Sequence, residues 1–208
     1  KGLIISITAI GEIEENKYVT RSGAQVNDLI CVSGNLGAAY MGLLLLEREK
    51  KIYLEHPGIQ PDLEDQTYVL ERFMKPEAKR KVVAWLKENE ILPTAMIDIS
   101  DGLSSEILHI SKQSEVGCQL YEEKLPIHEQ TRAMAEKFGI AASTAALNGG
   151  EDYELLFTVS PDAFSKLGTT DLVTVIGHVT KPEDGNYFIT NGNNKIELKA
   201  QGWNPIKN

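Results

Sequence analysis

The chain has 208 residues, room for one large domain or a domain with an attached fragment. Its 42% apolar content suffices for a core, and 17 glycines and eight prolines exclude collagen-like and low-complexity classes. With 21 basic against 30 acidic residues the net charge is −9, which argues against broad nucleic-acid binding but suits divalent cations that bridge carboxylates to a polyphosphate.

In chain order, Leu3–Ala9 is rich in β-branched residues and predicts a strand, and the polar, acidic Gly11–Lys17 a connector. Because the numbering opens on Lys1 in mid-strand, we expect it to begin inside a longer protein. Asp28–Ser33 predicts a buried strand, Gly34–Gly37 a turn, and Ala38 to about Lys50 a helix with a charged tail. Asp62 is placed to cap a helix reaching Met74, and Pro76 to open another reaching Asn89. A second buried strand is expected over Ala95–Ile99, then a helix from Gly102 to about Gln113 and a strand over Gly117–Tyr121. His128–Phe138 predicts a helix stopped by Gly139. The tail predicts strands at Tyr153–Val159, Leu172–Ile176, Tyr187–Ile189 and Lys195–Leu198, with a short helix over Pro161–Leu167 and a hairpin turn at Gly192-Asn-Asn. Mixed strands, tandem helices and a β-rich tail indicate an α+β (mixed α/β) fold, not a regular Rossmann alternation.

No apolar stretch is long enough for a membrane helix. Cys31 and Cys118 form no CxxC pair and the four histidines have no metal-ligand spacing, so structural zinc is disfavoured and free thiols in a reducing cytoplasm are expected. Cys31, inside an apolar strand, reads as a packing thiol, and Trp85 as a core residue on a helix face.

Four segments could carry chemistry. In Met96-Ile-Asp-Ile-Ser-Asp-Gly-Leu103 a strand delivers Asp98, Ser100 and Asp101 to a strand-to-helix corner. Both carboxylates can approach one metal there, with Ser100 or backbone N–H groups facing a phosphate; equally, Ser100 or Asp101 can cap the helix. Asn148-Gly-Gly-Glu-Asp-Tyr-Glu154 is either a substrate-contacting loop or a turn into an edge strand. Arg21 in Arg-Ser-Gly-Ala can grip a phosphate or lie idle on the surface. Ser33-Gly-Asn-Leu-Gly37 is a glycine turn without GxGxxG or a Walker lysine. Trp203 either stacks on an aromatic substrate or seals the core edge.

Taken together, Arg21-Ser-Gly-Ala, Val32-Ser-Gly-Asn-Leu-Gly37, Ile97-Asp-Ile-Ser-Asp-Gly-Leu103 and Gly149-Gly-Glu-Asp-Tyr-Glu-Leu155 resemble, in this order, the thiamine-monophosphate kinase family. That family belongs to the ATP-binding superfamily of aminoimidazole ribonucleotide synthetase and selenophosphate synthetase, and the resemblance runs from Leu3 to Trp203. It implies the carboxy-terminal domain of the aminoimidazole ribonucleotide synthetase-like fold over residues 16–208. Residues 1–15 would then be the last strand and connector of an amino-terminal ATP-binding domain that supplies most metal ligands and the homodimer interface. It further implies transfer of the γ-phosphoryl of ATP to thiamine monophosphate with Mg2+, in the cytoplasm. Arg21 and Ser100 would contact ATP, Asp98 and Asp101 would hold magnesium, and Glu151 and Trp203 would meet the substrate. No covalent nucleophile is implied, since phosphoryl transfer rests on positioning and charge neutralisation. One departure is Val26-Asn-Asp28 where the family usually has Pro-Gly-Asp. A selenophosphate synthetase, a hydrogenase-maturation relative or a non-catalytic nucleotide-binding domain are the alternatives.

Overall fold

The computed structural model describes residues 3–15, 17–168 and 170–200. Its centre is a seven-stranded sheet in the order β2-β4-β1-β5-β3-β6-β7. The strands are β1 (Leu29–Ser33), β2 (Ala95–Asp98), β3 (Gly117–Tyr121), β4 (Leu155–Val159), β5 (Val173–Thr180), β6 (Asn186–Ile189) and β7 (Lys195–Glu197). All neighbours are antiparallel except the parallel pair β3 and β6, so the sheet is mixed, as the element pattern predicts. β1 reads as one unbroken apolar run because both its faces are buried. Ile30 and Val32 join the main core, while Cys31 between them joins a second core on the opposite face.

The helices are α1 (Ala38–Glu55), α2 (Thr67–Met74), α3 (Arg80–Glu88), α4 (Leu103–Ser114), α5 (Glu129–Lys137), α6 (Ala142–Asn148) and α7 (Phe164–Leu167). α4 buries Leu103, Ile107 and Ile110 in the main core, the spacing of one helical face. α3 contributes Val82 and Leu86 to the second core, with Trp85 packed at its margin. A third cluster joins α1, α2 and α5 through Met41, Leu45, Val69 and Met134. Gly42 lets α1 and α2 touch, since a side chain there would run into the Val69 backbone and sit 3.0 Å from the Phe73 Cβ.

Some expectations shift. α2 begins at Thr67, not after Asp62; its cap position is Gln66, and the Asp62 amide donates to the buried Glu49 carboxylate on α1. α3 starts at Arg80, leaving Pro76 outside. α6 has no counterpart in the sequence reading. Leu3–Ala9 belongs to no strand; a strand needs a neighbour for its backbone groups, and none of the described residues provides one. Leu3, Ile4 and Ile7 are exposed.

A candidate acidic site where two loops meet

The site grows from the end of β2, at the sheet edge. There Asp98 pairs with Leu155, and the ladder continues beyond both strands. Ile99 donates its amide to the Glu154 carbonyl at 2.8 Å, Tyr153 to the Ile99 carbonyl at 2.8 Å, and Glu151 to the Ser100 carbonyl at 2.7 Å. The two segments read separately in the sequence are therefore hydrogen-bonded neighbours. Glycine makes this approach possible: Gly150 has φ +69°, and a Cβ there would lie 2.5 Å from the Ser100 carbonyl oxygen. Glu151 and Tyr153 also adopt left-handed backbone conformations, at φ 61° and 49°. Such geometry in non-glycine residues costs energy and concentrates at functional sites.

Asp98, Asp101 and Glu151 are exposed, Ser100 is partly buried, and neither aspartate forms a salt bridge among the described residues. The Tyr153 hydroxyl donates to Glu151 Oε2 at 3.3 Å. Partial burial, then Glu151, then the charges of Asp98 and Asp101 push the phenol above its usual range, so it stays a donor facing carboxylates. Neither Ser100 nor Asp101 caps α4; Gly102 occupies the cap position without a side-chain hydrogen bond. Glu106, in the first turn of α4, reaches back instead. Its Oε1 accepts from the Asp101 amide at 2.9 Å and lies 3.4 Å from the Ser100 hydroxyl. Burial raises the Glu106 pKa.

Beneath the loop lies a buried ionic frame. Asp152 accepts from the Gly37 and Ala39 amides at 2.6 and 3.3 Å, at the start of α1. Burial outweighs these bonds and pushes its carboxyl up to about 6. Glu154 is bound by Arg72 of α2 and by Lys79, each at 2.8 Å, and by the Ser33 hydroxyl. Arg72 also donates to the Asn35 and Asp152 carbonyls, at 3.2 and 3.1 Å. The Ser33–Gly37 turn is thus the floor on which the Gly149–Leu155 loop is fixed.

Arg21 is exposed. Its neighbour Thr20 accepts from the Met96 amide at 2.8 Å, which brings the segment to the open edge of β2, two residues before Asp98. Trp203 lies outside the described residues. Among the described residues no group of three or more His, Cys, Asp or Glu is arranged to hold a metal ion. Asp98 and Asp101, hard oxygen donors without a cationic partner, fit a magnesium-type ion as part of a ligand set that phosphates or further donors must complete. Sequence reasoning missed Glu106, Tyr153, Arg72 and Lys79. Tyr153 stood inside the quoted motif, whereas Arg72 and Lys79 carried no local signal.

The family model for the AIR synthase related protein C-terminal domain matches residues 25–189. The chain belongs to that family. Thiamine-monophosphate kinase of Aquifex aeolicus is 34% identical over 199 residues, covering 96% of this chain and 58% of that protein. The Bacillus subtilis thiamine-monophosphate kinase is 30% identical over 210 residues, covering 99% of this chain and 61% of its own. Among solved structures, AaThiL complexed with AMPPCP and TMP superposes with a TM-score of 0.69 at 30% identity, over 90% of this chain and 54% of that one. E. coli HypE, a hydrogenase maturation protein, reaches 0.67 at 18% identity over 94% of this chain and 57% of its own, a likeness of AIR synthase-type fold alone. The chain spans about three fifths of the length of the curated relatives it matches.

Proposed function

We propose that this chain is the carboxy-terminal part of a thiamine-monophosphate kinase, which transfers the γ-phosphoryl of ATP to thiamine monophosphate. The observation that carries the reading is the Ser100–Glu151 backbone link, which puts the acidic corner and the Gly-Gly-Glu-Asp-Tyr-Glu loop in one place. It is supported by the similarity to the Aquifex and Bacillus enzymes over nearly the whole chain. The likeness to HypE is weaker in sequence, which favours the thiamine enzyme over the hydrogenase-maturation alternative.

Asp98 and Asp101 would hold Mg2+, which when bound screens the phosphates and polarises the transferring group. Ser100 and Arg21 lie on the nucleotide side, Arg21 offering a planar fork to phosphate oxygens. Glu151 faces the substrate, its carboxylate oriented by the Tyr153 hydroxyl at 3.3 Å. Trp203, outside the described residues, keeps the substrate-stacking role that the family resemblance implies. The buried frame of Asp152, Glu154, Arg72 and Lys79 keeps the loop rigid, so the residues arrive pre-positioned, which is what phosphoryl transfer needs. Neither cysteine serves as a nucleophile: burial pushes both thiols up to about 12. Residues 1–15 would join an amino-terminal domain that supplies the remaining metal ligands and a homodimer interface. No helix among the described residues is long and apolar enough to cross a membrane. A cytoplasmic location without a membrane or nucleic-acid partner is part of the proposal.

The test is direct. The protein, expressed at its full natural length, should make thiamine diphosphate and ADP from thiamine monophosphate and ATP in the presence of magnesium. No product under those conditions would remove the assignment.

A further inference from the structure

We propose that Glu106 is a positioning residue that fixes the Ser100–Asp101 corner for metal binding; this rests on the reading of Asp98 and Asp101 as metal ligands. Glu106 does not reach the exposed side of the site. It is 2% exposed, on the buried face of α4 beside Ile107 and Ile110. Its Oε1 spans the start of the helix, accepting the Asp101 amide at 2.9 Å with the Ser100 hydroxyl at 3.4 Å. Its own amide is committed to the Gly102 carbonyl at 3.3 Å. The carboxyl therefore ties the Asp101 backbone to the helix across a glycine at φ +117°. Without that tie the Asp101 amide loses its acceptor, and the corner that carries its carboxylate is less firmly held.

The other oxygen supplies an independent observation. Glu106 Oε2 is buried and has no hydrogen-bond partner among the described residues. An acid with an unsatisfied buried oxygen is a poor choice for stability alone, since such a group costs free energy that an apolar side chain would not. Holding a ligand's backbone from behind matches the role of outer-shell partners in metal sites, whose loss weakens metal affinity by about 10–100-fold.

The experiment titrates Mn2+ into the full-length protein with AMPPCP present, followed by electron paramagnetic resonance, alongside thermal melts. Glu106→Ala should weaken Mn2+ binding by about tenfold or more while the folded protein persists. Glu106→Gln, which keeps the Oε1 acceptor, should stay within about threefold of wild type. Should the alanine variant not fold, Glu106→Asp serves, its carboxyl withdrawn by one methylene and again expected to bind Mn2+ more weakly. Wild-type affinity in folded Glu106→Ala or Glu106→Asp overturns the proposal, and so does a Glu106→Gln defect as large as that of alanine. Asp98→Asn separates the two levels of the argument. If it removes an Mn2+ equivalent that wild type binds while Glu106→Ala does not weaken it, only the role of Glu106 falls; if Asp98→Asn binds the same number of Mn2+ ions as wild type with the same affinity, the metal corner falls, and Glu106 with it.

Discussion

Ser100 and Glu151 are joined by a 2.7 Å hydrogen bond from the Glu151 amide to the Ser100 carbonyl, so two motifs 51 positions apart form one structural unit. The joint depends on Gly150. A side chain there would meet the Ser100 carbonyl at 2.5 Å, in a backbone conformation that L-residues rarely adopt. On the proposed function, Gly150→Ala should lower stability by roughly 1–3 kcal/mol and reduce kcat/KM for thiamine monophosphate by about tenfold or more. Chemical denaturation and steady-state kinetics check both, and an alanine variant with unchanged kinetics would show that the loop tolerates displacement.

Asp98 is exposed and makes no salt bridge among the described residues, so its removal should cost function without costing fold. On the proposed function, Asp98→Asn is expected to lower kcat by orders of magnitude while leaving the thermal midpoint equal to that of wild type. Wild-type turnover in the variant would reduce Asp98 to a surface residue.

Asp152 should leave a pH signature on stability. Its carboxyl rises from an ordinary 3.8 to about 6 because burial dominates. The folded state therefore binds the proton more tightly than the unfolded chain. The stability tied to that proton is fully present below the unfolded value and is lost as pH rises through about 6. Spread over that window, the loss is on the order of 3 kcal/mol. Urea melts of wild type and Asp152→Asn from acid to neutral pH should diverge there, with the asparagine variant flatter. Parallel curves would mean that Arg72 and the α1 amides offset the burial.

Arg72 is mostly buried and serves three acceptors: Glu154, the Asn35 carbonyl and the Asp152 carbonyl. Arg72→Ala leaves the Glu154 carboxylate with less than its full complement of charge. A stability loss of about 3 kcal/mol is expected, with Lys79 moderating the upper range. Arg72→Lys should recover only part of it, because a single ammonium at the end of a shorter side chain must reach the Glu154 carboxylate and two carbonyls now served by Nη2. A loss below about 0.5 kcal/mol, as for a surface pair, would contradict the buried frame.

Legibility in the sequence followed how local each signal was. β1 and β4 were legible because strands buried on both faces give unbroken apolar runs, and α4 because Leu103, Ile107 and Ile110 share one face. α6 was not, since Ala142–Asn148 is short and built of small residues. Its burial comes from Ala145 and Ala146 closing on Gly37, a contact that periodicity does not encode. Asp62 does not cap because α2 opens later, with Gln66 at the cap position, while the Asp62 amide is held by Glu49, 13 positions away. The acidic corner and its partner loop stood out as strings, but their mutual hydrogen bonds did not. Arg72, Lys79 and Glu106 were invisible for a related reason: each acts through a partner that only the fold brings near.

The ladder that runs from Asp98 with Leu155 to Ser100 with Glu151 also counts residues. Adding or deleting one position between Glu151 and Leu155 would reverse which side chains point inward, burying Tyr153 where Glu154 meets its two cations. Length variation is closed to this loop, and changes in ligand preference have to come by exchange of side chains at fixed spacing.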